Sequence, residues 1–300
     1  MVTLEGLLEK TSRTFALSIP VLPEPTRREV TVAYLLFRIA DTFEDASHWS
    51  PQSRTSALAD FKTLLRENRR EEAVRLAAAW SAAGPAGHAG YRELIAEVPF
   101  VLEAYFSLSN EAIGPIRTHV SRSADGMAET VLTTGGGGLV LSSLPELKHY
   151  CYCVAGIVGE MLTELFLLGR PSLSSSAGAL RERAATFGEA LQLVNILKDV
   201  LDDAAEGRRY LPASVPAREV FALARRDLSV AEEYIRLLNV AGAHRGIVEF
   251  CALPVALARA TLDKVEAKGP GAKVSRPQVA RIAHRVRRAL DKGALPTSAR

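Results

Sequence analysis

The chain has 300 residues, 48% of them hydrophobic and only 6% aromatic, with a formal net charge of +3. That length can bury one or two sizeable cores, and so small a net charge gives no reason to expect nucleic acid as a partner. No stretch reaches 18 uninterrupted apolar residues, so no membrane-spanning helix is expected.

Glu5, Glu9, Lys10 and Arg13 stand where a secretory signal needs an apolar core. Residues 3–18 read as a short helix that ends in the extended stretch Ile19–Pro23. From Pro25 a long helix is expected, because Val30, Ala33, Leu36, Phe37 and Ala40 recur at helical spacing. Amphipathic helices follow from Ser53 to about Arg69, then through Trp80, near 91–107 and over 113–133, with Gly135–Gly138 as a flexible link. Residues 144–168 read as one apolar helix closed by Gly169-Arg170-Pro171. Helices are expected again at 178–205, 216–240 and 243–268, and from about Pro277 to the end. No sustained period-two alternation and no internal repeat interrupts this series. The expectation is one all-α domain over 1–300, with 277–300 a basic C-terminal helix or tail.

That tail carries Arg276, Arg281, Arg285, Arg287, Arg288, Lys292 and Arg300 against Asp291 alone. It reads as a solvated helix face or as a peripheral contact with anionic lipid. Cys151, Cys153 and Cys251 lie among apolar neighbours without a CxxC pair. Buried free thiols in a reducing compartment are therefore expected, and the location expected is cytoplasmic, possible peripheral membrane contact aside.

Chemistry concentrates in two polar stripes. Gln192, Asn195, Asp199 and Asp203 stand at steps of three, four and four, which brings them onto one side of a helix. Leu193, Val194, Ile196, Leu197, Val200 and Leu201 surround them, so the stripe is expected to place its carboxylates inside the protein. An ordinary surface helix could also carry Asp199 and Asp203. The second stripe weighs against that: Tyr34, Arg38, Asp41 and Asp45 follow steps of four, three and four on an equally apolar background. Two DxxxD pairs facing each other across a cavity would suit Mg²⁺, which keeps waters and bridges carboxylates to substrate phosphates. Ser12, Arg13, Arg38, Lys198, Arg208, Arg209 and Tyr210 are candidate donors to a diphosphate. Arg208 reads equally as a loop-anchoring salt bridge. The apolar helices would enclose the tail of a hydrophobic diphosphate.

At this point the residues resemble a known family. Ser12-Arg13-Thr14-Phe15-Ala16, Tyr34–Asp45, Asp125-Gly126-Met127-Ala128, Tyr150–Gly159, Gln192–Asp203 and Gly207-Arg208-Arg209-Tyr210-Leu211-Pro212 occur in the order found in the squalene and phytoene synthases. The DTFED form at 41–45, the Phe250–Pro254 stretch and Ala260-Thr261-Leu262 look more like squalene synthases. The chain departs from the family at Lys198, where arginine is usual, and at Cys153, often tyrosine or glycine.

The resemblance implies an isoprenoid synthase fold, with helices around a central apolar cavity, and a substrate of farnesyl diphosphate or a longer prenyl diphosphate. It implies Mg²⁺ at Asp41, Asp45, Asn195, Asp199 and Asp203. It implies diphosphate contacts from Ser12, Arg13, Tyr34, Arg38, Gln192, Asn195, Lys198, Arg208 and Tyr210. Tyr150 is implied to assist proton transfer, with Tyr152 its nearest rival. Lys273 and Arg276 lie where squalene synthases have a basic stretch associated with NADPH. The implied reaction is head-to-head condensation to presqualene diphosphate and reduction to squalene, by a soluble, bacterial-type monomer. Dehydrosqualene or phytoene synthesis, another prenyl transferase or cyclase activity, and a non-catalytic assembly role are the alternatives.

Overall fold

The structure, a computed structural model, describes residues 2–12, 14–134 and 139–294. Arg13, the Gly135–Gly138 link and Arg300 lie outside them. Among the described residues the architecture is all α-helical, with one isolated bridge between Val140 and Arg209 and no strand. The chain packs as two compact units, Met1–Pro20 with Glu24–Gly137, and Val21–Pro23 with Gly138–Arg300.

The first unit contains α1 (Leu4–Thr11), α2 (Phe15–Ser18), α3 (Thr26–Glu44), α4 (Pro51–Arg66), α5 (Arg70–Ala83), α6 (Ala89–Ala96), α7 (Val98–Phe106) and α8 (Asn110–Thr134). The helix expected over 3–18 is broken because Ser12 is extended and its hydroxyl accepts from the Phe15 amide at 2.9 Å, opening a second helix. Similarly, the expected 91–107 helix divides at Glu97, after which Pro99 occupies a first-turn position of α7, where a missing N–H costs least. The core helix is α3. It packs against α1, α4, α6, α7 and α8, and Val32, Ala33, Leu35, Leu36, Ile39, Ala40 and Phe43 have no exposed surface.

The second unit contains α9 (Leu144–Cys151), α10 (Ile157–Leu167), α11 (Ala177–Ala205), α12 (Ala217–Val240), α13 (Arg245–Lys268) and α14 (Arg276–Asp291). A π-turn over Tyr152–Gly156 joins α9 to α10, so the expected 144–168 helix is real but carries one widened turn. By length and composition Leu144–Leu167 could cross a bilayer, with a mean hydropathy of 1.4 despite its scattered polar residues. In this fold 61% of its most apolar window is buried, as a core helix would be.

α14 is tied to α13 through a buried carboxylate. Glu249 accepts from Arg287 Nε at 2.7 Å, and Arg245 lies 3.7 Å from its other oxygen. Removing a cation from a buried carboxylate strands its charge. Arg287→Ala is therefore expected to destabilise the protein by about 1–3 kcal/mol, read from the urea midpoint, with Glu249→Gln in the same background removing most of the loss. The three cysteines are buried and free, as expected, and burial pushes the Cys151 and Cys251 thiols up.

Candidate active site

In the first unit the site is one face of α3. Between Glu29 and Glu44 every residue is buried except Tyr34, Arg38 and Asp41, and Asp45 follows, exposed, at the helix end. Over Glu29–Glu44 the stripe is thus the only part of the helix left open. Tyr34 donates its hydroxyl to Thr11 O at 2.9 Å and packs its ring 5.5 Å from Phe15. Ser12, half-buried, is taken up in capping α2.

Arg38 is held by more than its helix neighbours. Its guanidinium lies 3.3 Å from Asp41, 5.7 Å from the Tyr34 ring centroid and 5.5 Å from that of Tyr91, on α6. Burial works against the Arg38 charge, but Asp41, Tyr34 and Tyr91 outweigh it and hold the guanidinium above its ordinary value. Arg38 Nε is buried with no partner among the described residues. A buried N–H without an acceptor is costly, and an anion's oxygen would satisfy it. Burial pushes the Asp41 carboxyl up to about 6, against the pull of Arg38 and with the push of Asp45.

Tyr91 was not among the sequence candidates, because only tertiary packing brings α6 to the α3 stripe. If its ring face holds Arg38, Tyr91→Leu is expected to weaken binding of inorganic diphosphate about tenfold and Tyr91→Phe by less than about twofold. Calorimetry checks this, and equal affinities for the two variants would remove Tyr91 from the site.

In the second unit the stripe lies on the C-terminal half of α11. It was expected to be buried, and the structure corrects this. Leu193, Val194, Ile196 and Leu197 are buried, but Asn195 is exposed, Gln192 and Asp199 are half-exposed, and Leu201 is 62% exposed. Beyond Lys198 the apolar side chains of α11 lose their cover, so these polar groups open outward. Lys198 Nζ lies 2.9 Å from Asp199 and 3.4 Å from Asn195 Oδ1. Arg208 reaches both Asp203, at 3.4 Å, and Glu206. The salt bridge is one of its two sequence readings. Burial raises the Asp203 carboxyl, Arg208 lowers it and Asp199 raises it further.

Tyr210 follows Arg208 by two residues and is held by backbone pairing of its neighbour Arg209, whose amide donates to Leu139 O at 2.6 Å and whose carbonyl accepts from Leu141 N at 3.0 Å. Tyr150 and Tyr210 are both buried, with ring centroids 4.9 Å apart, and the Tyr150 hydroxyl donates to that of Tyr210 at 3.3 Å. Tyr152, the rival candidate, donates instead to Glu160 at 3.3 Å. Lys273 is exposed and lies 3.5 Å from Asp202, off the stripe, while Arg276 is exposed in the first turn of α14. Asp125, in a candidate motif on α8 of the first unit, pairs with Lys62 of α4.

Among the described residues no three His, Cys, Asp or Glu side chains converge as a ready-made metal site. Each stripe instead offers two carboxylates four residues apart, now neutralised in part by Arg38, Lys198 and Arg208. Hard oxygen donors in pairs, leaving positions to water and phosphate, fit Mg²⁺, and the orphaned Arg38 Nε fits a phosphate oxygen.

Comparison with known proteins gives a consistent picture. Residues 8–220 match the sequence profile of a family described as squalene/phytoene synthase. The chain is 28% identical over 280 residues to the squalene synthase of Eremothecium gossypii, and 27% identical over 277 residues to that of Saccharomyces cerevisiae. Each alignment covers 86% of this chain, and the chain spans 60% of each relative's length. Among solved structures, TcSQS in complex with the ligand BPH1237 superposes with a TM-score of 0.71 at 24% identity, covering 94% of this chain and 84% of that one. A ligand complex of a dehydrosqualene synthase gives 0.56 at 20% identity, covering 96% and 95%. The fold is the all-α isoprenoid synthase fold.

Proposed function

The chain belongs to the squalene/phytoene synthase family, and on that premise we propose that it joins two farnesyl diphosphates head to head, through presqualene diphosphate, to squalene. The observation that carries this reading is the α3 stripe. From Glu29 to Glu44 the helix leaves only Tyr34, Arg38 and Asp41 open, and it ends in Asp45, a donor set whose chemistry suits a metal–diphosphate half-site. The α11 stripe supplies the same donor types, and the whole chain works as one synthase domain.

In this reading Asp41, Asp45, Asn195, Asp199 and Asp203 hold Mg²⁺, which when bound neutralises the charge of a departing diphosphate. Arg38, with its unpaired Nε, and Lys198 and Arg208, exchanging their carboxylate partners for phosphate oxygens, bind and orient the diphosphate. Lys198 does so as a point charge rather than a bidentate fork. Tyr34, Ser12, Arg13, Gln192 and Tyr210 complete the contacts. Tyr150 presents a buried hydroxyl to the reacting carbons, able to move a proton without quenching a cation as a carboxylate would. Lys273 and Arg276, exposed and cationic, hold the phosphates of NADPH, the hydride source that squalene requires. The enzyme acts as a cytoplasmic monomer, with the basic face of α14 available to an anionic membrane surface.

The test is incubation with farnesyl diphosphate and Mg²⁺, with and without NADPH, followed by hydrocarbon analysis. Squalene formed only with NADPH is the expected result. Turnover of geranylgeranyl diphosphate in preference, or an unreduced C30 product under both conditions, shifts the activity to phytoene or dehydrosqualene synthesis. Absence of turnover with either diphosphate refutes the enzymatic reading.

A further inference from the structure

Tyr150 cannot act as a base alone. A neutral phenol titrates near pH 10, and its oxygen, once protonated, is a far stronger acid than any group around it. A proton arriving at that oxygen must therefore be matched by one leaving. The structure supplies an outlet: the Tyr150 hydroxyl donates to Tyr210 Oη at 3.3 Å, with both residues buried. Donation in that direction points the Tyr150 hydrogen at Tyr210 Oη. Tyr210 is fixed by the Arg209 backbone pairing with Leu139 and Leu141, two residues beyond the Arg208 that reaches Asp203.

We propose that Tyr150 and Tyr210 form a two-hydroxyl relay that carries the proton released on cyclopropane closure to the departed diphosphate. The inference rests on the prenyl transferase reading above. The donor's C1–oxygen bond breaks with both electrons going to diphosphate, and the acceptor's double bond attacks C1, leaving a tertiary cation. The C1–H electron pair then closes the ring. Its proton passes to Tyr150, the Tyr150 proton to Tyr210, and the Tyr210 proton to a diphosphate oxygen. Both tyrosines end as they began, and diphosphate leaves carrying one proton. Tyr210 is thus a relay residue as well as a diphosphate contact, and Tyr152, engaged by Glu160, has no place in the transfer.

The experiment is single-turnover formation of the cyclopropyl product from farnesyl diphosphate and Mg²⁺ without NADPH. Tyr210→Phe, which keeps the ring packing, is expected to slow this step about 10- to 100-fold with KM changed far less. Tyr150→Phe/Tyr210→Phe is expected to be no slower than Tyr150→Phe alone, since one relay cannot be broken twice. In the wild type, D₂O should slow the step with a curved dependence on deuterium fraction, a readout independent of any variant. A wild-type rate in Tyr210→Phe, multiplying losses in the double variant, or no effect of D₂O overturns the relay and leaves the enzyme's activity standing. A wild type that turns over no prenyl diphosphate removes the reading and the relay together.

Discussion

Asp41→Asn is expected to abolish prenyl diphosphate turnover, by about a thousandfold or more, while making the metal-free protein more stable. Asparagine keeps the size and one oxygen but loses the charge that pairs with a metal. The stability gain follows from burial, which raises the Asp41 carboxyl from 3.8 to about 6. A carboxyl raised in the folded state is most favourable when protonated. The penalty for ionising it is absent below the ordinary carboxylate value, grows as pH rises, and is fully developed above about pH 6. Above that pH the substitution should stabilise by at most about 3 kcal/mol, less what solvent at the open edge of the stripe screens. Below about pH 4 it should do nothing. Denaturation at pH 8 and pH 4 checks this; equal effects at the two pH values would mean that burial does not govern Asp41. Full turnover in the variant would remove Asp41 from the metal site.

The four-three-four steps of Tyr34–Asp45 and the three-four-four steps of Gln192–Asp203 are visible in sequence because an α-helix converts spacing directly into direction. The major helices are equally legible, since their buried faces recur at the same period. What escaped depends on tertiary neighbours. Nothing near Arg38 in sequence announces Tyr91, more than fifty positions on. The partnership of Tyr150 with Tyr210 likewise follows from packing within the second unit. The α11 stripe departs from its sequence pattern for a related reason. Six apolar residues around it promise burial, but Leu201 at its end remains 62% exposed. Breaks at Ser12 and Glu97 turn on local caps and a first-turn proline.

Gly188→Ala is expected to be strongly destabilising. A Cβ there would lie 1.9 Å from Ala155 O and 3.1 Å from the Gly156 amide nitrogen. These are backbone atoms of the π-turn and cannot rotate away. Gly159 repeats the situation from the opposite helix, its Cβ falling 2.0 Å from Ala184 O. Together the two glycines let α11 and α10 touch backbone to backbone, and a methyl at either must wedge them apart. A loss of about 3 kcal/mol or more is expected, read from urea denaturation, with Gly159→Ala comparable. Gly156→Ala should be milder, because its Cβ would meet the Tyr152 ring at 2.8 Å and the Glu189 side chain at 3.2 Å, both able to yield. Gly178, with nothing within 4 Å, is the control, and alanine there should be neutral or stabilising by up to about 1 kcal/mol. Equal losses at Gly178 and Gly188 would refute the close-approach argument.

The widened turn at Tyr152–Gly156 sets the phase between the two ends of one rod. Each residue advances a helix by about 100°, so a π-turn acts as an inserted residue whose angular offset is carried forward to everything beyond it. The tyrosine end faces Tyr210 and the glycine end faces α11, and both alignments depend on that offset. Deleting one residue from Tyr152–Gly156 could leave an unbroken α-helix and even a tighter one. It would also swing Tyr150 away from its partner or Gly159 away from its groove. Evolution therefore has a single-codon way to retire the Tyr150–Tyr210 alignment without touching either tyrosine. Alignments that slide a gap through this segment would pair tyrosines that do not occupy the same place.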